Sequence, residues 1–122
     1  MNTAIYVRND EDGKTLNELV SFAKSKGWNV IKFYVDNGFS GLDDNRPQLQ
    51  QLLKDTLSNN DIDVVLVEGA KHLSRDFTSF RNIKEKLNEN GVKLYSTSYD
   101  AHYPHTFYEL SAEDLRTFRE LF

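Results

Sequence analysis

Four short β-prone runs alternate with segments of helical periodicity along this chain of 122 residues. The runs occupy residues 4–7, 29–35, 64–67 and 92–97. Strands that alternate with helices form parallel sheets, because each helix carries the chain back so that the next strand runs in the same direction. These crossover connections are right-handed. The sequence therefore predicts an α/β domain with three layers (αβα), built on a mainly parallel four-stranded sheet.

Three helices are predicted between these strands. A capping box, T-x-x-E, begins at Thr15 and favours a helix start there, and Gly27 is placed to end that helix. Pro47 occupies the first position of the second helix, and Phe77 begins the third. Residues 68–76 carry several charges without a clear period, so a charged loop is predicted for them.

The composition limits the classes of function. The net charge is −4, and phosphate contacts supply most non-specific affinity for nucleic acid, so DNA binding by the chain alone is predicted to be weak or absent. There is no cysteine for a disulfide or a thiolate metal site. No apolar run is long enough to span a bilayer and no export signal is visible, which predicts a cytoplasmic protein without a membrane partner.

Two nucleotide or metal motifs are incomplete. Gly13-Lys14-Thr15 is similar to the end of a phosphate-binding loop, but Arg8 stands where that loop needs its first glycine. Asp10 and Asp12 are spaced as in a calcium loop, but Leu19 stands at the position of the bidentate glutamate. We therefore predict no metal and no cofactor.

Two further alternatives have little support. His72, His102 and His105 lack the spacing of metal ligands. A phosphoacceptor receiver domain would suit the acidic turn after the first strand. However, Glu68-Gly69 follows the third strand where such a domain has an aspartate, and only four central strands are predicted.

A set of separated motifs is far more specific. The segments are Tyr6-x-Arg8, V-D-N-G-F-S-G at 35–41, Asn45-Arg46-Pro47, D-V-V-L-V at 63–67, Leu73-Ser74-Arg75-Asp76-Phe77 and E-N-G-V-K-L at 89–94. In order and spacing they closely resemble the catalytic domain of the serine recombinases, the resolvase/invertase family. The resemblance implies a catalytic-domain-like unit over residues 1–99, a short tail and helix over 100–122, and no C-terminal DNA-binding domain.

The resemblance also implies roles for individual residues. In that family a serine two residues after the first-strand arginine attacks DNA, and arginines neutralise the phosphate in the transition state. Arg8, Arg46 and Arg75 match phosphate-binding arginines of the family. Asp36 matches its second-strand aspartate, and Ser40 lies in the adjacent loop and is included among the DNA-binding positions.

The departures from the family affect its catalytic groups. Asp10 holds the position of the nucleophilic serine, and Lys71-His72 stands where the family has an Asp-Arg pair. Lys14 and Leu19 replace glutamines of the first helix, and the long dimer-forming helix is missing or reduced to residues 112–122. No intact catalytic set is therefore predicted.

An aspartate is a poor substitute for the serine at position 10. Its carboxylate would form a high-energy acyl phosphate, and it would repel the incoming phosphate by about 4 kcal/mol at ~4 Å for an effective dielectric near 20. We therefore expect strand exchange to be absent. We further hypothesise that the Asp10 carboxylate lies among Arg8, Arg46 and Arg75, where a phosphate would otherwise bind.

The leading hypothesis is a catalytically inactive serine-recombinase-like domain that serves as a binding or regulatory module of site-specific recombination. Its partner would be an active serine recombinase or a second copy in a homodimer, contacted through residues 99–108 and the stripe Leu115, Phe118 and Phe122. The alternative is a residual DNA-processing enzyme, either a recombinase that uses Asp10 or a metal-assisted nuclease that uses carboxylates such as Asp10 and Asp36.

Overall fold

The computed structural model describes residues 1–10, 12–39, 45–58 and 61–98. The predicted C-terminal helix and the stretch at 99–108 lie outside these residues. The described elements, in chain order, are β1 (Asn2–Arg8), α1 (Lys14–Ser25), β2 (Asn29–Asp36), α2 (Pro47–Ser58), β3 (Val64–Val67), α3 (Ala70–Leu73), α4 (Phe77–Glu89) and β4 (Lys93–Ser96). None of the helices among these elements has the length and apolar character needed to cross a membrane.

The four strands form one sheet in the order β2-β1-β3-β4, and every neighbouring pair is parallel. This arrangement confirms the predicted α/β fold and makes the described sheet wholly parallel. Strand β1 lies in its interior and pairs with β2 from Asn2↔Asn29 to Arg8↔Asp36. The last pair places Arg8 and Asp36 side by side at the carboxyl end of the sheet.

Helices pack on both faces of the sheet, as a three-layer domain requires. Ala4 and Tyr6 of β1 belong to a core that includes residues of α2, α3 and α4. Ile5 and Val7 point to the opposite face, where the core includes residues of α1. Both sets are nearly inaccessible to solvent. Burial on both faces explains why this strand is apolar throughout rather than alternating with polar residues.

Two helices end in the same hydrogen-bonded motif. After α1, Gly27 has φ 73° and the Trp28 amide donates to the Ala23 carbonyl at 2.9 Å. After α4, Gly91 has φ 75° and the Val92 amide donates to the Leu87 carbonyl at 2.8 Å. These are Schellman motifs, which favour glycine because the left-handed conformation is strained for other residues. The predicted helix end at Gly27 is confirmed.

The predicted start of α1 is wrong. The helix begins at Lys14 rather than after Thr15, and Gly13, with φ 73°, precedes it without any side-chain cap of its own. Asp12 supplies a cap instead, since its Oδ1 accepts a hydrogen bond from the Lys14 amide at 3.1 Å. The next two amides are satisfied by Asp10 from further back in the chain. A capping box at Thr15 is unnecessary because the acidic turn already satisfies these donors.

The charged segment at 68–76 also differs from its prediction as a loop. It contains the four-residue helix α3, which is preceded by Gly69 in an extended conformation and followed by Ser74, also extended. A single turn of helix is too short to produce a visible hydrophobic period, which is why the sequence pattern misses it.

The ion pair between Lys32 and the half-buried Asp55 gives a testable pH dependence. Asp55 Oδ2 lies 2.6 Å from both Lys32 Nζ and Tyr34 Oη, and Gln51 Nε2 donates to Oδ1 at 2.8 Å. The hydrogen bonds from Lys32 and then Tyr34 lower the pKa of Asp55 to about 2. A carboxyl group whose pKa is lowered by folding stabilises the fold at pH values above its pKa in the unfolded chain, which is ~4. This contribution is lost as the pH falls towards ~2.

We therefore expect Asp55→Asn to flatten the loss of stability between pH ~4 and ~2 relative to the wild type. Urea unfolding at several pH values in that interval measures the difference. Glu85→Gln, an exposed carboxylate on α4, is the control and should follow the wild-type curve. Parallel curves for the wild type and Asp55→Asn would show that this carboxylate is not coupled to folding.

Candidate anion-binding site

The carboxyl ends of β1 and β2 are tied together by Asn9. Its amide donates to the Asp36 carbonyl at 2.8 Å, and its Oδ1 accepts from the amides of Gly38 at 2.7 Å and Phe39 at 3.2 Å. Its Nδ2 donates to the Phe39 carbonyl at 2.9 Å. Asn9 adopts φ 59°, a left-handed conformation that asparagine tolerates better than most residues. The turn after β1 is thus fixed against the loop after β2.

This fixed turn directs Asp10 to the start of α1. The Asp10 amide donates to Asn37 Oδ1 at 2.8 Å. Its carboxylate accepts from the Thr15 amide at 3.1 Å through Oδ1 and from the Leu16 amide at 2.8 Å through Oδ2. Both oxygens therefore bind amide donors at the positive end of the helix dipole, as an N-cap carboxylate does.

The geometry gives Asp10 a different role from the one hypothesised. Its carboxylate binds helix amides, and within the described residues no ion pair joins it to an arginine. The physical reason is local: the left-handed Asn9 turns the following side chain towards the first turn of α1, where two main-chain amides donate hydrogen bonds to its carboxylate. The hypothesis of a phosphate surrogate among the arginines stays a prediction, and the described contacts of the carboxylate are those with α1.

Asp36 has the equivalent position at the start of α2. Its Oδ1 accepts from the Gln48 amide and its Oδ2 from the Leu49 amide, each at 3.0 Å. Tyr6 Oη also donates to Oδ2 at 3.0 Å. Asp36 is only 2% exposed, and burial, with this carboxylate nearby, raises the pKa of Tyr6 and keeps it a neutral donor. The Asp36 carboxylate therefore serves as a buried helix cap.

Arg46 lies entirely inside the protein. It is 0% exposed, and its Cζ lies 5.6 Å from the centroid of the Tyr6 ring. Its Nη1 donates to Tyr6 Oη at 3.0 Å and to the His72 carbonyl at 3.2 Å, while Nη2 donates to the Leu73 carbonyl. A charged residue is tolerated at such depth only when its donors are satisfied in this way.

The three arginines predicted from the resemblance influence one another electrostatically. The pKa of Arg8 is lowered first by partial burial and then by the positive charges of Arg46 and Arg75. Arg8 Nη1 donates to the Phe39 carbonyl at 3.1 Å, and Arg75 is exposed without a hydrogen bond or ion pair to any described residue. Positive charge concentrated in this way makes these residues a candidate site for an anion.

Comparisons with known proteins agree with this fold. The family model for the N-terminal domain of resolvases matches residues 4–118. The chain belongs to the resolvase N-terminal domain family. A comparison with curated proteins gives no significant match.

Solved structures add relatives of the same kind. The N-terminal catalytic domain of TP901-1 integrase is 28% identical with a TM-score of 0.76, over 99% of this chain and 91% of that one. The C-terminal catalytic domain of ISC1926 TnpA, an IS607-like serine recombinase, is 23% identical with a TM-score of 0.73. The match covers 99% of this chain and 96% of that one. A resolvase family site-specific recombinase from Streptococcus pneumoniae is 20% identical with a TM-score of 0.66, and the match covers 99% of this chain and 92% of that one. The latter two share the fold with this resolvase domain.

Of the other predicted site residues of the resolvase domain, the structure describes the side chain of His72 but not those of Lys71 and Ser40. His72 lies on α3 with Nε2 3.6 Å from Glu68 Oε2, and its side chain is 29% exposed. Lys71 belongs to the same helix, but its side chain lies outside the described residues, and so does Ser40. Within the described residues no three metal-ligating side chains converge.

Sequence reasoning assigned no role to two residues that build this resolvase site. Tyr6 links Asp36 to Arg46 through its hydroxyl, and Asn9 ties the two loops together. A signal existed for the first, because a tyrosine within a buried apolar strand needs a partner for its hydroxyl group. The second could have been suspected from the frequency of asparagine in left-handed turns.

Proposed function

We propose that this resolvase-type domain does not exchange DNA strands and instead acts as a binding or regulatory module of site-specific recombination. The observation that carries the proposal is the state of Asp10. By resemblance Asp10 holds the family's serine position, and the two oxygens of its carboxylate each accept an amide hydrogen bond from α1. Both oxygens of the Asp10 carboxylate are therefore engaged in capping α1.

The chemistry of the position supports this proposal. A serine exchanges one phosphate ester for another of similar energy, so a cleaved strand can be resealed. A carboxylate would have to leave its two amide partners, approach a phosphate of like charge and form an acyl phosphate that water hydrolyses. The Lys71-His72 pair stands in place of the family's Asp-Arg, so a second part of the family's catalytic set is also changed.

The arginines support retention of a binding role. Arg8 and Arg75 keep positive charge at the carboxyl end of the sheet, where α/β proteins bind ligands. Against them, the whole chain carries a net charge of −4, which disfavours non-specific contact with DNA. We therefore place the module in a complex, with an active serine recombinase or a second copy supplying most of the DNA contacts.

The alternative function, a metal-assisted nuclease, is less compatible with the geometry. Such a reaction needs carboxylates that converge on one ion. Asp10 and Asp36 instead point at the first turns of two different helices, and each accepts two amide hydrogen bonds there. Freeing either carboxylate for a metal would leave helix amides without partners.

Incubation with supercoiled plasmid and magnesium tests the proposal. We expect neither nicked DNA nor a covalent protein–DNA adduct from the wild type. We expect the same of Asp10→Ser, because restoring the hydroxyl leaves Lys71-His72 in place. Asp12→Ala is the matched control, since it removes a neighbouring carboxylate that caps the same helix. An adduct or nicking that disappears in Asp10→Ala and persists in Asp12→Ala would overturn the proposal.

The partner is tested separately. Sedimentation of the purified chain over a range of concentrations reports a homodimer, and co-purification with a coexpressed active serine recombinase reports a heterocomplex. One of the two is expected. A monomer that captures no recombinase would contradict the assigned role, although the absence of strand exchange would still stand.

A further inference from the structure

Three aromatic rings meet beside the C-terminal end of α1. Phe22 belongs to this helix, Trp28 follows its glycine cap, and Tyr95 lies on β4. The centroid of the Tyr95 ring is 5.4 Å from that of Phe22 and 5.2 Å from that of Trp28, and the Phe22 and Trp28 centroids are 6.1 Å apart. The Trp28 ring stands at 77° to Phe22 and at 83° to Tyr95. We call these residues the three-ring cluster.

The ammonium group of Lys26 lies over this cluster. Lys26 follows Phe22 by four residues, so the two side chains share one face of the helix. Its Nζ lies 5.8 Å from the centroid of Phe22, 5.9 Å from that of Trp28 and 5.7 Å from that of Tyr95. A cation within about 6 Å of a ring centroid is attracted by the face of the ring. The cluster therefore directs the attraction of three rings at one point.

The orientation of Lys26 is the reverse of the usual one. Lysine side chains ordinarily bury the carbon stem and keep the ammonium group in water. Here Nζ is closed to solvent although the residue as a whole is half-buried, and it donates no hydrogen bond to any described residue. An ammonium group carries three N–H donors, and burying them without acceptors opposes the attraction of the rings. The cluster thus holds a cation that it matches poorly.

A quaternary ammonium group would match the cluster better. It has the positive charge without the N–H donors, so it gives up no hydrogen bonds when it leaves water. An atom in contact with a ring lies about 4 Å away, whereas Nζ of Lys26 is 5.7 to 5.9 Å from the three centroids. The difference leaves room for a methyl group, whose carbon lies about 1.5 Å from the nitrogen.

We propose that the three-ring cluster is a binding site for a small quaternary ammonium compound, and that Lys26 occupies the site with its own ammonium group until such a ligand displaces it. The partly exposed side chain of Lys26 marks the route from solvent, because its movement opens the space over the rings. The site lies at the C-terminal end of α1, whereas Asp10 caps the other end of this helix. The inference therefore does not rest on the function proposed above.

Titration with choline tests the site, and Trp28, the single tryptophan of the chain, reports binding by its fluorescence. Lys26→Ala removes the resident cation and should bind choline at least about tenfold more tightly than the wild type. Lys24→Ala removes an exposed lysine from the last turn of the same helix and should bind choline as the wild type does. Equal gains in the two variants, or no gain in Lys26→Ala, would overturn the inference.

A neutral isostere separates recognition of charge from burial of apolar surface. The alcohol in which carbon replaces the quaternary nitrogen of choline has the same shape and no charge. We expect it to bind Lys26→Ala at least about tenfold more weakly than choline does. Equal affinities would show a merely apolar cavity and would contradict a cation site.

Two further measurements keep the test decisive if Lys26→Ala fails to fold. Lys26→Ser truncates the side chain in the same way and should show the same gain. In the wild type, the indole N–H resonance of Trp28 should shift with choline at high concentration and stay fixed with the neutral isostere. A response to both compounds alike, or to neither, rules the site out and leaves the proposed role in recombination untouched.

Discussion

Replacing Asp36 by alanine is expected to lower the free energy of unfolding by about 3 kcal/mol. The change removes the cap of α2, leaving the Gln48 and Leu49 amides without their acceptor. It also leaves the Tyr6 hydroxyl without its acceptor at a site that is closed to solvent. Urea unfolding at neutral pH measures the loss, provided that the transition is two-state.

Two variants control for this effect. Asp36→Asn keeps one acceptor oxygen and should lose an intermediate amount. Asp12→Ala removes an exposed carboxylate that caps α1 with a single hydrogen bond, and about 1 kcal/mol or less is expected. If the free energy of unfolding of Asp36→Ala lies within ~1 kcal/mol of that of the wild type, then the hydrogen bonds of this buried carboxylate do not stabilise the fold.

The double substitution Arg8→Gln with Arg75→Gln is expected to weaken binding of a short DNA duplex about 100-fold at low ionic strength, since each charge-assisted contact is worth about a factor of ten. The dependence of affinity on salt should fall as well, with the slope of log K against log salt reduced by about 0.9 for one neutralised phosphate. Fluorescence anisotropy over a series of salt concentrations measures both quantities.

A matched control separates the site from general electrostatics. Lys93→Gln removes one positive charge from an exposed residue at the amino end of β4, the opposite end of the sheet from Arg8. A loss of well under tenfold is expected for this variant. If Lys93→Gln weakens binding as much as a single arginine substitution does, then the affinity comes from total charge and the arginine site has no special role.

The elements with strong local signals could be predicted from the sequence. Pro47 starts α2 at its first residue and Gly27 ends α1, because proline and glycine act through their own backbone restrictions. The wholly apolar run at 64–67 is a strand buried on both faces, as its composition indicates. These features depend on neighbouring residues alone, so no tertiary information was needed.

The contacts of the site that the sequence did not indicate depend on distant residues. Asp10 turns to α1 because Asn9 is left-handed and is held by a loop about thirty residues later in the chain. The role of Arg46 requires carbonyl acceptors 26 and 27 residues away. A one-dimensional pattern gives the charge of such residues and not the donors or acceptors that surround them, so the burial of Arg46 could not be foreseen.

The hydrogen bonds of Asp10 have a consequence for how this domain can change by mutation. A serine at position 10 would offer one acceptor oxygen in place of the two that now bind the Thr15 and Leu16 amides. Under the proposed function, a return to the family's hydroxyl would therefore weaken the start of α1 while positions 71 and 72 still differed from the family. Stability and reactivity would then pull this one residue in opposite directions.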